Sequence, residues 1–183
     1  VLLKALTGSI EATVAVDRPV VTLIRGADGA SNLDGLFPRD GAREEAPRRG
    51  GAKPHIVVTL RDGKVVAHGL PAAGRAPTPD VVDGITFDAD VGAVITARFA
   101  ALVRGAKAGG GDAPITMEAK LDVDGAGPVK AAVPPLDLAR LAQTFSAFGL
   151  DAVTGSVEVA VDLKLAAKGG GTGLASANLA GLA

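Results

Sequence analysis

Acid–base catalysis needs a titratable side chain held beside its substrate, and the two histidines, His55 and His68, with the carboxylates Asp88 and Asp90, are the groups best suited to it here. No local spacing joins them, and the interval between the histidines matches no metal-ligand pattern. They read as surface residues flanking strands, and only long-range folding could converge them into one site. Asp122-Val123-Asp124-Gly125 begins like a calcium loop, yet Val133 stands at the twelfth position, where a bidentate acid is required, so a strand-ending turn is expected. The triple glycines at 109–111 and 169–171 are followed by no Gly-Lys-Ser/Thr, and no GxGxxG opens a helix, so neither is a phosphate cradle. A nucleophile elbow of the GxSxG type is absent, and so is the βαβ rhythm that would hold one. With no cysteine in the chain, thiolate chemistry and disulfides drop out as well. The expectation is a non-enzyme with no cofactor and no metal.

Charge excludes a further class. The formal net charge is −1, with acids and bases interspersed, whereas a nucleic-acid surface needs a concentrated basic field. Arg39, Arg43, Arg48, Arg49 and Lys53 gather in one loop, but Asp40, Glu44 and Glu45 dilute them, so that loop reads as solvated.

The elements that would position any site are mainly strands. Ile10, Ala12, Val14 and Val16 alternate with Ser9, Glu11, Thr13 and Asp17, the period of a half-buried antiparallel strand. A second strand follows at 20–24. Ser31 and Asp34 fit a capping box, with Leu33, Leu36 and Phe37 forming a single helical turn over 31–37, and 38–54 is a flexible loop of charged residues, Gly and Pro. Ile56, Val58 and Leu60 lead into Asp62-Gly63, a hairpin signal before 64–68. Alternating strands are then expected around 85–91, 95–103 and 115–123, with Gly-rich loops at 105–113 and 168–173. The period changes to that of a helix over 136–148, where Leu138, Leu141, Ala142, Phe145 and Phe148 share a stripe between Pro134-Pro135 and Gly149. One more strand, 157–165, precedes a Gly- and Ala-rich tail. Its opening "TGSVEVAVDL" echoes "TGSIEATVAV" at Thr7, which suggests a repeated unit.

The whole chain, 1–183, reads as a single domain with roughly eight to ten strands and one short amphipathic helix. Such a sheet has more apolar face than the chain has lid. Aromatics are 3% of the residues, all of them Phe, so a thin aliphatic surface is all that could be buried. A closed sandwich or barrel solves this alone, whereas an open curved sheet leaves a large apolar patch.

Two stretches carry a resemblance. "RPVVTLIRGADGASNLDGLF" is similar to the strand, "dG-x-x-NLd-x-L" turn and loop near the start of AsmA-like proteins, the group that includes the TamB translocation and assembly module. "PLDLARLAQTFSAFGLDAVTGSVEVAVDLKLAAKGGGTG" resembles the same family's short amphipathic helix, "l-x-G-x-l" and long alternating strand, and "LRDGKV" at 60–65 adds a hairpin. The resemblance implies long antiparallel meander strands curled into an open groove, or half-tube, behind an inner-membrane anchor. It also implies phospholipid transport across the periplasm, or for some members a role in outer-membrane protein assembly. The chain opens at Val1 without that anchor and is expected to be a piece or processed form of something longer. On this reading the apolar floor binds phospholipid acyl chains, lined by Ile10, Val14, Val16, Ile85, Phe87, Ile95, Phe99, Ile115, Met117, Leu121, Val157, Val159, Val161 and Leu163. A competing reading is a structural module that takes a client strand onto an exposed sheet edge.

Overall fold

The computed structural model describes residues 11–25, 30, 32, 55–68, 78–147, 150, 153–167 and 170–182. They form one open sheet of nine strands. In chain order these are β1 (Glu11–Asp17), β2 (Val20–Ile24), β3 (His55–His68), β4 (Asp80–Val91), β5 (Val94–Val103), β6 (Ala113–Asp122), β7 (Gly127–Asp137), β8 (Ser156–Leu165) and β9 (Gly171–Ala180). The order β1-β3-β4-β5-β6-β7-β8-β9 is an antiparallel meander from β3 onward, with β2 also on β3. The strands make their substantial contacts with lateral neighbours only, so the sheet neither closes into a barrel nor folds over itself as a sandwich among the described residues. This is the architecture of a groove.

Three expectations are corrected. The opening strand is parallel, not antiparallel: β1 and β2 both run alongside β3 in its own direction, so together they act as one strand interrupted at Arg18-Pro19. Asp62-Gly63 is not a hairpin, because β3 runs straight through it as a bulge with register shifts at Leu60/Gly63 and Gly63/Val65. The chain across the sheet explains why: Arg18 N–H donates to Arg61 C=O at 2.8 Å and Lys64 N–H to Pro19 C=O at 2.8 Å, so the extra residues on both strands are absorbed side by side. Third, 171–180 is a regular strand with no loop or tail character, its glycines allowing the backbone to lie tight against β8. One strand was not foreseen at all, β7, whose Pro134-Pro135 sits in a register shift between Val133 and Leu136, where a bulge tolerates proline. The helix is found where its period placed it, as a 3-10 turn at Leu138–Leu141 followed by α1 (Ala142–Ala147). The turn and loop expected over 31–54 lie outside the described residues apart from Asn32.

The fully buried core is small and sits at one end. Val103, Ala106, Ala113 and Leu136 form one cluster, with Val82, Ile115, Val133, Leu141 and Val157 packed against it. Leu23, Ala67 and Ala147 form a second with Val65, so α1 caps the sheet there. The cap is tied down through Thr144 N–H, which donates to Asp80 at 2.7 Å, and Arg25, which donates to the Ser146 carbonyl at 3.2 Å. Arg104 stitches the same end, donating to Asp83 at 2.9 Å and Asp112 at 2.6 Å. The Gly105 N–H and then the Arg104 guanidinium hold the Asp112 carboxyl below its ordinary range.

Candidate functional site

Alternation along each strand sends one set of side chains to each face, and the cross-strand register joins them into rows. On the apolar face Val16, Leu60, Phe87, Phe99, Met117, Ala131, Val161 and Ala175 follow one another across eight strands. At about 4.8 Å between strands that row is roughly 34 Å long. One step along the strands lies a lower row of Val14, Val58, Ala89, Ala97, Ala119, Val129 and Leu163. A further step brings Ile56, Val91, Ile95 and Leu121. Three successive alanines, Ala89, Ala97 and Ala119, lie between Phe87-Phe99-Met117 and Val91-Ile95-Leu121 on this face.

Of the residues expected to line a lipid site, Val14, Val16, Ile85, Phe87, Ile95, Phe99, Ile115, Met117, Leu121, Val157, Val159, Val161 and Leu163 share this face, and Ile10 lies outside the described residues. They are not one uniform set. Ile115 and Val157 pack at the capped end against the core, whereas Val14 is 48% exposed and Met117 38%. The open part therefore runs from the Phe87 row away from α1. The alternation already puts Leu60, Ala89, Ala97 and Ala119 on the apolar side of their strands, though they are not among the residues expected to line the site; Ala131 lies on β7, the strand the sequence reading lacked.

The opposite face is polar and self-paired. Asp88, Arg98, Glu118, Lys130 and Asp162 stand opposite one another on five successive strands, alternating in sign. Arg98 and Glu118 approach to 3.7 Å and Lys130 and Asp162 to 3.1 Å, while Arg61 grips Asp88 through two bonds of 2.7 and 2.9 Å. This hydrogen bonding holds the Asp88 carboxyl below its ordinary range and the Arg61 guanidinium above its own. A one-residue slip would move every member of the ladder to the wrong face, so the ladder helps fix the register. An open hollow of about 600 Å³ lies on this face, with Thr59, Asp88, Thr96, Arg98, Glu118 and Lys120 among its lining residues.

The acid–base candidates do not converge. His55 Nε2 lies 2.9 Å from Asp90 Oδ1 at the exposed start of β3, Asp88 is committed to Arg61, and His68 is at the far end of the same strand. Asp122 ends β6 as expected for a turn, its carboxylate accepting the Asp124 and Ala126 N–H groups, each at 2.9 Å. Among the described residues no three His, Asp or Glu side chains gather as a metal site would need, and no helix is long and apolar enough to cross a membrane. No family model, curated protein or solved structure matches the chain.

Proposed function

We propose that this chain is a lipid-binding module whose open apolar face takes the acyl chains of phospholipids and carries them along the sheet. The observation that supports it best is the unbroken apolar row from Val16 to Ala175, which no described element covers beyond the end capped by α1. Each methylene removed from water is worth about 0.8 kcal/mol, so a 16-carbon chain offers on the order of 10 kcal/mol before ordering costs. Such a cargo requires neither a hydrogen bond nor a charged residue, which suits a face built of plain aliphatics, Phe and Met. The small side chains of Ala89, Ala97 and Ala119 leave room for the acyl chain to lie across the strands, and the Phe and Met row flanks it. By its resemblance to AsmA-like proteins the module acts in the periplasm between inner and outer membranes, with phospholipid as the transported molecule.

Native mass spectrometry of the purified chain, with photo-crosslinking residues placed at Phe99 and Met117, tests this. Lipid adducts at both positions are the expected result. A lipid-free chain whose crosslinkers capture only its own strands overturns the reading.

A further inference from the structure

The apolar face does not stop where α1 covers it. Along β3 its positions run Ile56, Val58 and Leu60 and then, past the bulge, Gly63, Val65 and Ala67. The extra residue at the bulge keeps them in step, since strict alternation from Leu60 would bring Lys64 and His68 to this face and turn Val65 and Ala67 away. β4 makes the same correction, passing from Phe87 and Ile85 to Val82 across the shift between Asp83 and Thr86, and β7 passes from Val133 to Leu136. On β2, Val21 and Leu23 stand opposite Val65 and Ala67. The irregularities in these strands therefore hold one apolar surface continuous from the open rows to the capped end.

The segment that covers this end, 138–147, is held unequally along its length. Its start is anchored: Asp137 N–H donates to the Ala106 carbonyl at 2.7 Å, Leu138 N–H donates to the Gly155 carbonyl at 2.9 Å, Leu138 is buried, and Leu141 packs against the larger core cluster. Its tip is α1, six residues long and too short to persist as a helix by itself. There Ala147 is buried with Leu23 and Ala67, and Val65 lies against them, so the tip meets the sheet through small side chains. Local opening takes the least costly part first, which is the tip and not the anchored start. From these observations we infer that α1 is a displaceable plug: an acyl chain competes with it for the floor formed by Leu23, Val65 and Ala67, and α1 lifts from its Ala147 end while Leu138 and Leu141 stay seated. The competition needs no specific contact, because the helix and a lipid tail offer that floor the same thing, cover from water. The inference rests on the lipid reading and adds a gate to it, since loading lengthens the track beneath the cap.

A photo-crosslinking residue at Val65 reports on the covered floor and one at Met117 on the open rows, each in the full chain titrated with vesicles of phosphatidylethanolamine and phosphatidylglycerol. Lipid should be captured at Met117 first and at Val65 as its concentration rises. Asp80→Ala removes the acceptor of the Thr144 N–H. It should lower the lipid concentration for half-maximal capture at Val65 about fivefold, the equivalent of about 1 kcal/mol, and leave the Met117 midpoint where it was. The chain lacks cysteine, so Ala67→Cys with Ala147→Cys supplies one pair of thiols whose oxidation locks α1 down. The closed staple should abolish capture at Val65 and spare Met117, and reduction should restore it. In the unmodified chain the amides of 142–147 should exchange hydrogen faster with vesicles than without, those of β5 at an unchanged rate. Capture at Met117 but never at Val65, capture at Val65 that survives the closed staple, or α1 amides indifferent to lipid would each overturn the plug and leave the lipid reading standing. Capture at neither position would overturn both.

Discussion

The Asp80 carboxylate accepts the backbone N–H of Thr144 at 2.7 Å, a bond between residues 64 positions apart that fastens the first residue of β4 to α1. Without it the short helix has little of its own to hold it, since six residues are too few for helical propensity to matter. Burial raises the Asp80 carboxyl above its ordinary 3.8, outweighing the hydrogen bonds from Thr144 and Gln143 that favour the charged form. The sign follows: the folded state holds its proton more tightly than the unfolded state, so this group's contribution is full below about pH 3.8 and is lost as pH rises through the raised value. Asp80→Asn keeps an acceptor and should match the unmodified chain in acid, then become the more stable of the two above that window. Asp80→Ala loses the cap and should be less stable by about 1 kcal/mol. Urea unfolding followed by far-UV circular dichroism between pH 3 and 7 reads both, as there is no Trp or Tyr to report by fluorescence.

The asymmetry between capped end and open face makes a second, sharper claim. Leu136 is 6% exposed inside the larger core cluster, so Leu136→Ala should cost about 2–4 kcal/mol in the same unfolding measurement. Val161 carries the same kind of aliphatic side chain, but it lies in the uncovered row between Ala131 and Ala175. Val161→Ala should cost no more than about 1 kcal/mol, because little packed protein is left around the missing methyls. Equal costs would mean that the open face is closed over in solution.

How much of this was legible in the sequence follows from where the information lies. Strand β6 and the helix announced themselves, because Ile115 to Leu121 alternates without a break and Leu138, Leu141, Ala142 and Phe145 keep a helical stripe. Strand β9 did not, since Gly171 to Ala180 has neither β-branched runs nor strong alternation and owes its extension to pairing with β8. Asp62-Gly63 misled for a related reason. As a local signal it is a hairpin turn, but Arg18-Pro19 one strand away supplies a matching irregularity, and that partnership between residues more than forty positions apart is invisible to any local pattern. That the expected residues share one face of the sheet was readable from parity alone. Which of them lie under the cap and which face outward depends on the helix packing across β2, β3 and β4, which parity does not encode.

The exposed ladder yields a prediction of opposite sign to that for Asp80. Arg61 holds the Asp88 carboxyl below its ordinary 3.8, so the unfolded state takes up a proton first as pH falls. The stabilisation is therefore present above pH 3.8 and disappears as pH drops through the lowered value. Asp88→Asn should melt below the unmodified chain at pH 7, with the gap closing in strong acid. Because both partners are exposed, 1 M salt should also shrink that gap, and a gap indifferent to salt would show that the pair acts through packing instead.

The bulge in β3 can be tested through its two central residues, which the fold asks for different reasons. Asp62 has a φ of 51°, a left-handed conformation that costs little for Asp or Asn and more for a β-branched residue. Gly63 needs no such freedom; it is held to its size by close approach, since an added Cβ would stand 2.8 Å from Leu60 Cδ2 and 3.3 Å from Ile85 Cβ. Asp62→Gly should accordingly be tolerated within about 0.5 kcal/mol, and Asp62→Val should lose about 1–2 kcal/mol. Gly63→Ala should lose about 1–3 kcal/mol by overpacking. A compensating Leu60→Val, which withdraws the nearer obstruction, should return part of what Gly63→Ala removes, and a double-mutant cycle on denaturant midpoints measures that coupling. If the two changes were simply additive, steric contact between Leu60 and the new methyl would not be the reason for glycine here, and the close pairing of β1–β2, β3 and β4 at this level would need another cause.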